Sequence, residues 1–204
     1  MATKQTTKPS RLSQNLPYIL IVCGTISLIC AFIIMLDKLS LLSNPSFHPN
    51  CDLNPVLSCG SVMSSKQGAV AGFPNPIFGL AAFPVLITIG MARLAGASFK
   101  RWFWQALNIG LLLAVVFCMW LFVQSVYYIH SLCIYCMIVW VMTITSFWYV
   151  TLYNLEAGNW PTFSRYTPVV SFVRRHHLDI LIGWLVIIAA LILQHFWYYY
   201  GKFL

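Results

Sequence analysis

Long apolar runs broken by short polar segments set the pattern of this chain. Five runs stand out: roughly Pro17 to Leu36, Pro76 to Ala95, Trp104 to Ile129, Ser131 to Tyr153 and Leu178 to Tyr199. Each is about 20 residues or more, enough to carry a helix across a hydrocarbon core of about 30 Å. In lipid, a helix is the only open segment that satisfies its own backbone hydrogen bonds. The pattern therefore predicts an all-α membrane protein with five transmembrane helices. Lys4, Lys8 and Arg11 precede the first run as they would a secretory signal. That run is too long for a signal core, and no small-x-small cleavage site follows it. It reads as an uncleaved transmembrane helix.

The polar segments divide the chain further. Residues 1–16 form an N-terminal tail whose first dozen residues are expected to be disordered. Residues 17–153 hold four of the helices and a long loop over 37–75. Residues 154–177 form a connection with Pro161 and Pro168, and residues 178–204 hold the fifth helix and a short tail. The loop contains Pro45, Pro49, Pro55 and Pro74, and Ser61 to Lys66 is expected to form a short helix within it. A loop of this length in a compact domain is usually functional or disordered, and the Cys pair it holds favours function.

Composition supports this division. Sixty per cent of the residues are apolar and 8% are charged, against roughly half and a quarter in soluble domains. Charges of both signs are scarce, and Trp, Tyr and Phe are plentiful enough for interfacial belts. The net charge of +8 does not indicate a nucleic-acid partner, because the charges are dispersed between apolar runs and form no basic face. They fit a topology signal instead. With the N-terminus inside, the inner segments hold Lys4, Lys8, Arg11, Arg93, Lys100, Arg101, Arg165, Arg174 and Arg175. The outer segments hold Lys38, Lys66 and Lys202. Such an excess of inner Lys and Arg is the usual orientation rule.

Seven cysteines then carry the candidate chemistry. Cys23, Cys30 and Cys118 lie within apolar runs, where a free Cys packs as a small hydrophobe. The other four form two pairs on the outer side. Cys133-Ile134-Tyr135-Cys136 opens the fourth helix, and an i, i+3 pair lies on one side of a helix turn. With Ser131 as N-cap, Cys133 falls in the first turn, where unpaired N–H groups and the helix dipole favour the reactive thiolate. Cys51 and Cys59 lie in the loop. The competing readings are helix packing for the first pair, a stapling disulfide for the second and a zinc site for all four. The seven residues between Cys51 and Cys59 make a wider gap than a common zinc knuckle has. Two pairs on one side of a membrane can trade bonds through mixed disulfides, so a relay is the reading adopted. His130 beside the fourth helix is an interfacial group or a tuner of a thiol. His176, His177 and His195 read as helix-flanking polar residues, and Asp179 as an N-terminal helix charge. The helix centres hold no ionisable residue, which argues against a transporter.

These residues resemble the vitamin K epoxide reductase family, particularly its bacterial, DsbB-like members. The match lies in Cys51-Asp52, Ser58-Cys59, Val62, Ser64-Ser65, Gly68, Asn75-x-Ile77-Phe78-Gly79 and Cys133-Ile134-x-Cys136, and spans roughly Tyr18 to Tyr153. The resemblance implies a four-helix bundle around a quinone, menaquinone or ubiquinone, capped by the outer loop, with the fifth helix as an added, scaffolding element. It implies that Cys51 exchanges with a partner, that Cys59 attacks or is bridged to Cys133, and that Cys136 delivers electrons to the quinone. It also implies cofactor-contact roles for Ser65, Asn75, Phe78 and Trp140, and no metal. Trp140 stands where vertebrate enzymes have a Tyr that hydrogen-bonds the substrate, and indole N–H donates without accepting. That departure favours quinone reduction over vitamin K epoxide reduction. The chain shows no room for the fused thioredoxin-like domain of many bacterial members. The expected partner is therefore a separate DsbA-like thioredoxin-fold protein on the outer side of a bacterial inner membrane. The rival class is a non-enzymatic membrane protein with structural disulfides.

Overall fold

A computed structural model describes residues 11–44, 46–160 and 167–201. The polar tail with Lys4 and Lys8, together with Pro45, Pro161, Arg165 and Lys202, lies outside these residues. The chain is an all-α membrane protein, with five helices long and apolar enough to cross a bilayer. The first, α1 (Arg11–Ser43), is longer at both ends than its apolar run. At 1.5 Å per residue its 33 residues span about 50 Å, so it outreaches the hydrocarbon core. After the outer loop come α3 (Pro76–Leu94), α4 (Arg101–Val123) and α5 (Ile134–Glu156). A short α6 (Thr167–Arg175) occupies part of the 154–177 connection, and leads into α7 (His177–His195) and α8 (Trp197–Tyr200).

The core of the bundle is α1 packed against α3 and α5, with α4 on the other side of α5. Between membrane helices, apolar surface gains nothing over lipid, so close approach of backbones at small residues does much of the work. Gly90 of α3 illustrates this. A Cβ there would lie 2.7 Å from Ile21 Cγ1 and 2.8 Å from the carbonyl oxygen of Pro17. Gly24 of α1 is similarly pressed, with Ile87 Cγ1 at 2.8 Å from its Cβ position. Between α4 and α5, Asn108 donates to Thr151 Oγ1 at 2.8 Å, and Asn154 donates to the carbonyl of Trp104 at 3.1 Å.

Past α4 the helix widens into a π turn (Gln124–Ile129), which ends at His130 in the left-handed region (φ 55°). The chain then runs extended through Leu132 and re-enters a helix at Ile134. The outer loop contributes α2 (Cys59–Ser64), followed by a 3-10 turn (Lys66–Ala69). Helix is thus present where Ser61 to Lys66 was expected to form it, but it begins two residues earlier, at Cys59.

Helix α7 buries Leu181 and little else along its length. Its ends are better fixed. Phe196, just past its end, is fully buried with Val56, Leu132 and Trp140, and His195 Nε2 lies 3.1 Å from His130 Nδ1. At the other end, Trp148 Nε1 of α5 donates to the carbonyl of His177 at 2.9 Å.

The α1–α3 contact yields the first prediction. Gly90→Ala pushes a methyl into the Pro17 carbonyl and should destabilise by about 1–3 kcal/mol. Gly110→Ala, where nothing lies within 4 Å, should be neutral or raise stability by up to about 1 kcal/mol through helix propensity. Thermal melting of the two variants in detergent tests the contrast; equal midpoints would remove close packing as the role of Gly90.

Candidate active site

The outer loop is built to bring two distant chain segments together. Asn54 Oδ1 accepts from the N–H groups of Val56 and Leu57 at 2.9 and 2.7 Å, closing a turn through Pro55. That turn presents Val56–Ser58 to the stretch before α5. Leu132 N–H donates to Val56 O at 2.7 Å, and Ser58 N–H donates to Leu132 O at 3.0 Å, a parallel bridge between Leu57 and Leu132. Ser131 Oγ adds a bond to Pro55 O at 3.3 Å. Two residues past Leu57 comes Cys59, and one residue past Leu132 comes Cys133. The bridge therefore sets the starts of α2 and α5 side by side.

Each start is capped. Ser58 Oγ accepts from Ser61 N–H at 3.1 Å, and Asp52 Oδ1 accepts from Gly60 N–H at 2.9 Å. Asp52 thus ties the residue after Cys51 to the helix that Cys59 begins. At the far end of α2, Lys38 Nζ on the overhanging end of α1 donates to Met63 O at 2.7 Å. On α5 the cap is not Ser131, whose hydroxyl is spent on Pro55. It is Cys133 itself, in extended conformation, whose Sγ accepts from Cys136 N–H at 3.4 Å. The cap moves because the Leu57–Leu132 pairing keeps the chain extended until Cys133, which delays the helix.

Cys51 and Cys59 form a disulfide, with Cα atoms 5.7 Å apart, whereas Cys133 and Cys136 are free thiols. The pairing left open between Cys51–Cys59 and Cys59–Cys133 is the former in this structure. Cys51, Cys59 and Cys133 are buried in one small apolar cluster with Ile34 and Met63, and Cys136 packs against it. The neighbouring Cys136 thiol holds the Cys133 thiol below its ordinary pKa range. Burial opposes this, and the N–H groups of Cys136 and Tyr135 reinforce it.

Cys136 also looks the other way. It lines a cavity of about 410 Å³ between the loop floor, α3, α4 and α5, within the size range of small-molecule and cofactor sites. The cavity follows helical stripes: Cys136, Val139, Trp140 and Thr143 on α5 face Phe117, Cys118 and Leu121 on α4. Phe78 forms part of the α3 wall, edge-on to Phe117 with ring centres 5.8 Å apart. Asn75 is on the wall too, but part of its amide is committed to the loop. Its Oδ1 accepts from Val70 N–H at 3.0 Å, and its Nδ2 donates to Gln67 O at 2.6 Å. Its second Nδ2 hydrogen and the second lone pair of Oδ1 remain for a ligand.

Asn75, Phe78 and Trp140 are therefore gathered with Cys136, while Ser65 is not on the cavity wall. The Ser65 hydroxyl donates to Val62 O at 2.7 Å and accepts from Gly68 N–H at 3.2 Å, capping the 3-10 turn. Gln67, Thr143 and Cys118 were not singled out from the sequence as cavity residues. The i, i+3, i+4, i+7 spacing from Cys136 could have found Thr143. Cys118, read as packing, has a stripe position on α4 that gives it a cavity wall as well.

The Cys133 geometry makes a pH prediction. A lowered pKa means more thiolate at neutral pH, so the thiolate absorbance of Cys133 should appear below the usual thiol midpoint of about 8.5. Cys136→Ala removes the main cause and should move that midpoint up. An ultraviolet titration against a Cys133→Ser control measures both; a midpoint that stays put in Cys136→Ala refutes the assigned cause.

The sequence profile of the vitamin K epoxide reductase family matches residues 18–151, from the second turn of α1 to near the end of α5. No curated protein matches the chain. The match covers well over half of the chain, and the chain belongs to the vitamin K epoxide reductase family. It is accordingly a membrane oxidoreductase of a family whose enzymes use quinones.

Proposed function

We propose that this family member oxidises a protein dithiol at its cysteine end and passes the two electrons to a membrane quinone, in support of disulfide bond formation. One observation carries the reading. Cys51, Cys59 and Cys133 share a buried cluster under the loop, and Cys136, one turn on, borders both that cluster and the apolar cavity. The four sulfurs thus bridge a surface loop and a cavity at membrane depth.

The exchange starts with Cys51–Cys59 and Cys133–Cys136 both as disulfides. A thiolate of the partner attacks Cys51 and releases Cys59 as thiolate. Cys59 attacks Cys133 and releases Cys136 as thiolate into the cavity wall. The partner's second thiol then displaces Cys51, leaving the partner with a disulfide. Cys51 in turn attacks Cys59, restores the loop disulfide and frees Cys133. Two electrons have then moved from the partner to the Cys133/Cys136 pair, the thiol state seen in the structure. A quinone held in the cavity would supply a two-electron, two-proton acceptor for the Cys133/Cys136 pair. Asn75 through its remaining N–H, Trp140 and Phe78 are the residues that would orient the ring. The direction of flow needs only modest tuning, since about 30 mV is a tenfold change for such a couple.

The partner we propose is a separate DsbA-like protein of thioredoxin fold. Cys51 is buried, so the partner must part the loop to reach it, and Leu53 beside it offers an exposed apolar contact. The excess of Lys and Arg on segments away from the cysteines supports a cytoplasmic N-terminus and an outward-facing loop in a bacterial inner membrane.

Purified protein with a reduced thioredoxin-fold dithiol and either ubiquinone or menaquinone tests the scheme. Cys51→Ala should reduce oxidation of the protein dithiol to background. Cys136→Ser should abolish quinone reduction while the loop pair still exchanges with thiols. Wild-type rates in either variant would refute the relay.

A further inference from the structure

At the end of the bundle opposite the cysteines, a cavity of about 510 Å³ opens between the first turns of α1, the last turns of α5 and the corner joining α6 to α7. Its polar walls are Asn15, Tyr149, Arg174 and His177, and its apolar walls include Leu12 and Ile19. This mixture differs from that of the redox cavity, which is almost wholly apolar. No step of the proposed relay uses this cavity.

Helix α6 supplies a separate observation. Over Thr167–Arg175 it is strongly two-sided: Val169, Phe172 and Val173 lie on one side, and Ser171, Arg174 and Arg175 on the other. Val169 and Phe172 are 58% and 60% exposed, so the protein leaves most of that apolar side uncovered. The helix runs directly into α7, a membrane span. A short basic helix of this kind, beside the end of a span, lies in the plane of the lipid interface with its apolar side among the acyl chains.

The charges at the corner favour an anion. Arg174 gives Nη2 to Glu156 Oε1 at 3.1 Å, which leaves most of its five N–H donors. His176 is paired with Asp179 at 2.9 Å. Arg175 has no acidic partner among the described residues. His177 Nδ1–H donates to the Arg174 carbonyl at 2.9 Å, so the neutral ring's Nε2 carries a lone pair and adds no donor toward an anion. Arg174 on the cavity wall, with Arg175 next to it in the chain, thus outweighs Glu156 in charge at this corner.

We propose that this cavity binds the head group of an anionic phospholipid, with its phosphate on Arg174 and the Tyr149 hydroxyl and its acyl chains along Leu12, Ile19 and the apolar side of α6. Free inorganic phosphate shares the head-group chemistry but has no use for the apolar surface, so the lipid is the assigned ligand.

Native mass spectrometry of the full chain in detergent, titrated with phosphatidylglycerol or phosphatidylcholine, tests the assignment. One phosphatidylglycerol should be retained, at least about fivefold more tightly than phosphatidylcholine. Arg174→Gln should weaken it about fivefold, as expected for one basic residue at an anionic surface, and Tyr149→Phe should weaken it without touching the Glu156 pair. Millimolar inorganic phosphate should leave the lipid in place. Equal retention of the two lipids overturns the proposal, as does wild-type binding in Tyr149→Phe together with either Arg174→Gln or, should that variant not fold, Arg175→Gln. Displacement by inorganic phosphate overturns it too, by assigning the site to the free ion.

Discussion

Four backbone atoms of Leu132 and its partners hold the cysteine end of this protein together. Leu132 N–H on Val56 O, and Ser58 N–H on Leu132 O, form the one β-bridge among the described residues. About 75 residues and two membrane helices separate the paired segments. Closing so long a loop costs entropy, and that cost is met by the α1–α3–α4–α5 bundle, which already brings the helix ends near each other. The bridge then adds register. Buried backbone groups need partners, and Val56 and Leu132 are both buried. Pairing the strands with each other is the economical solution, and it leaves Cys59 and Cys133 as the first residues free to turn into a helix.

In the proposed relay, the path from the loop to the cavity follows helix geometry. Cys133 caps α5, and Cys136 lies three residues on, less than one turn of about 5.4 Å deeper. That short step crosses from the loop cluster to the membrane cavity. The same cap geometry favours a thiolate at Cys133, through the Cys136 thiol first and the N–H groups at the helix start second. The overhang of α1 matters for the same reason. Only because α1 continues to Ser43 can Lys38 reach Met63 O and hold the far end of α2 over the cavity.

The helical membrane architecture was legible in the sequence because it depends on the length and apolarity of each run, which neighbours do not alter. The relation of the two cysteine pairs was legible as a shared side of the membrane. Their bonding was not, since Cys51–Cys59 and Cys59–Cys133 differ only by which sulfur lies closer in three dimensions. Ser131 was misassigned as the helix cap because local preference favours Ser, whereas the bridge at Leu132 overrides it. Ser65 and Asn75 illustrate a different limit. Motif position placed both near the cofactor, yet Ser65 spends its hydroxyl on a turn and Asn75 part of its amide on the loop. Helix α6 was not anticipated because nine residues fall far short of a span; Pro168 sits in its first turn, where Pro is well tolerated.

Helix α7 shows why an added span need not be peripheral to the chemistry. Along its middle it buries almost nothing, and apolar contact with other helices would gain little over contact with lipid. Its position must therefore be set at its ends. At one end Phe196 fills the space between Val56, Leu132 and Trp140, the residues that join the loop bridge to the cavity wall, and His195 holds the left-handed His130 three residues before Cys133. At the other, the His177 carbonyl takes the Trp148 indole N–H. Between the ends, Trp184, Leu185 and Ile188 pack only partly buried against Val115 and Ile144. The helix braces each end against its own surroundings: the redox loop on one side, and the basic corner of α6 on the other.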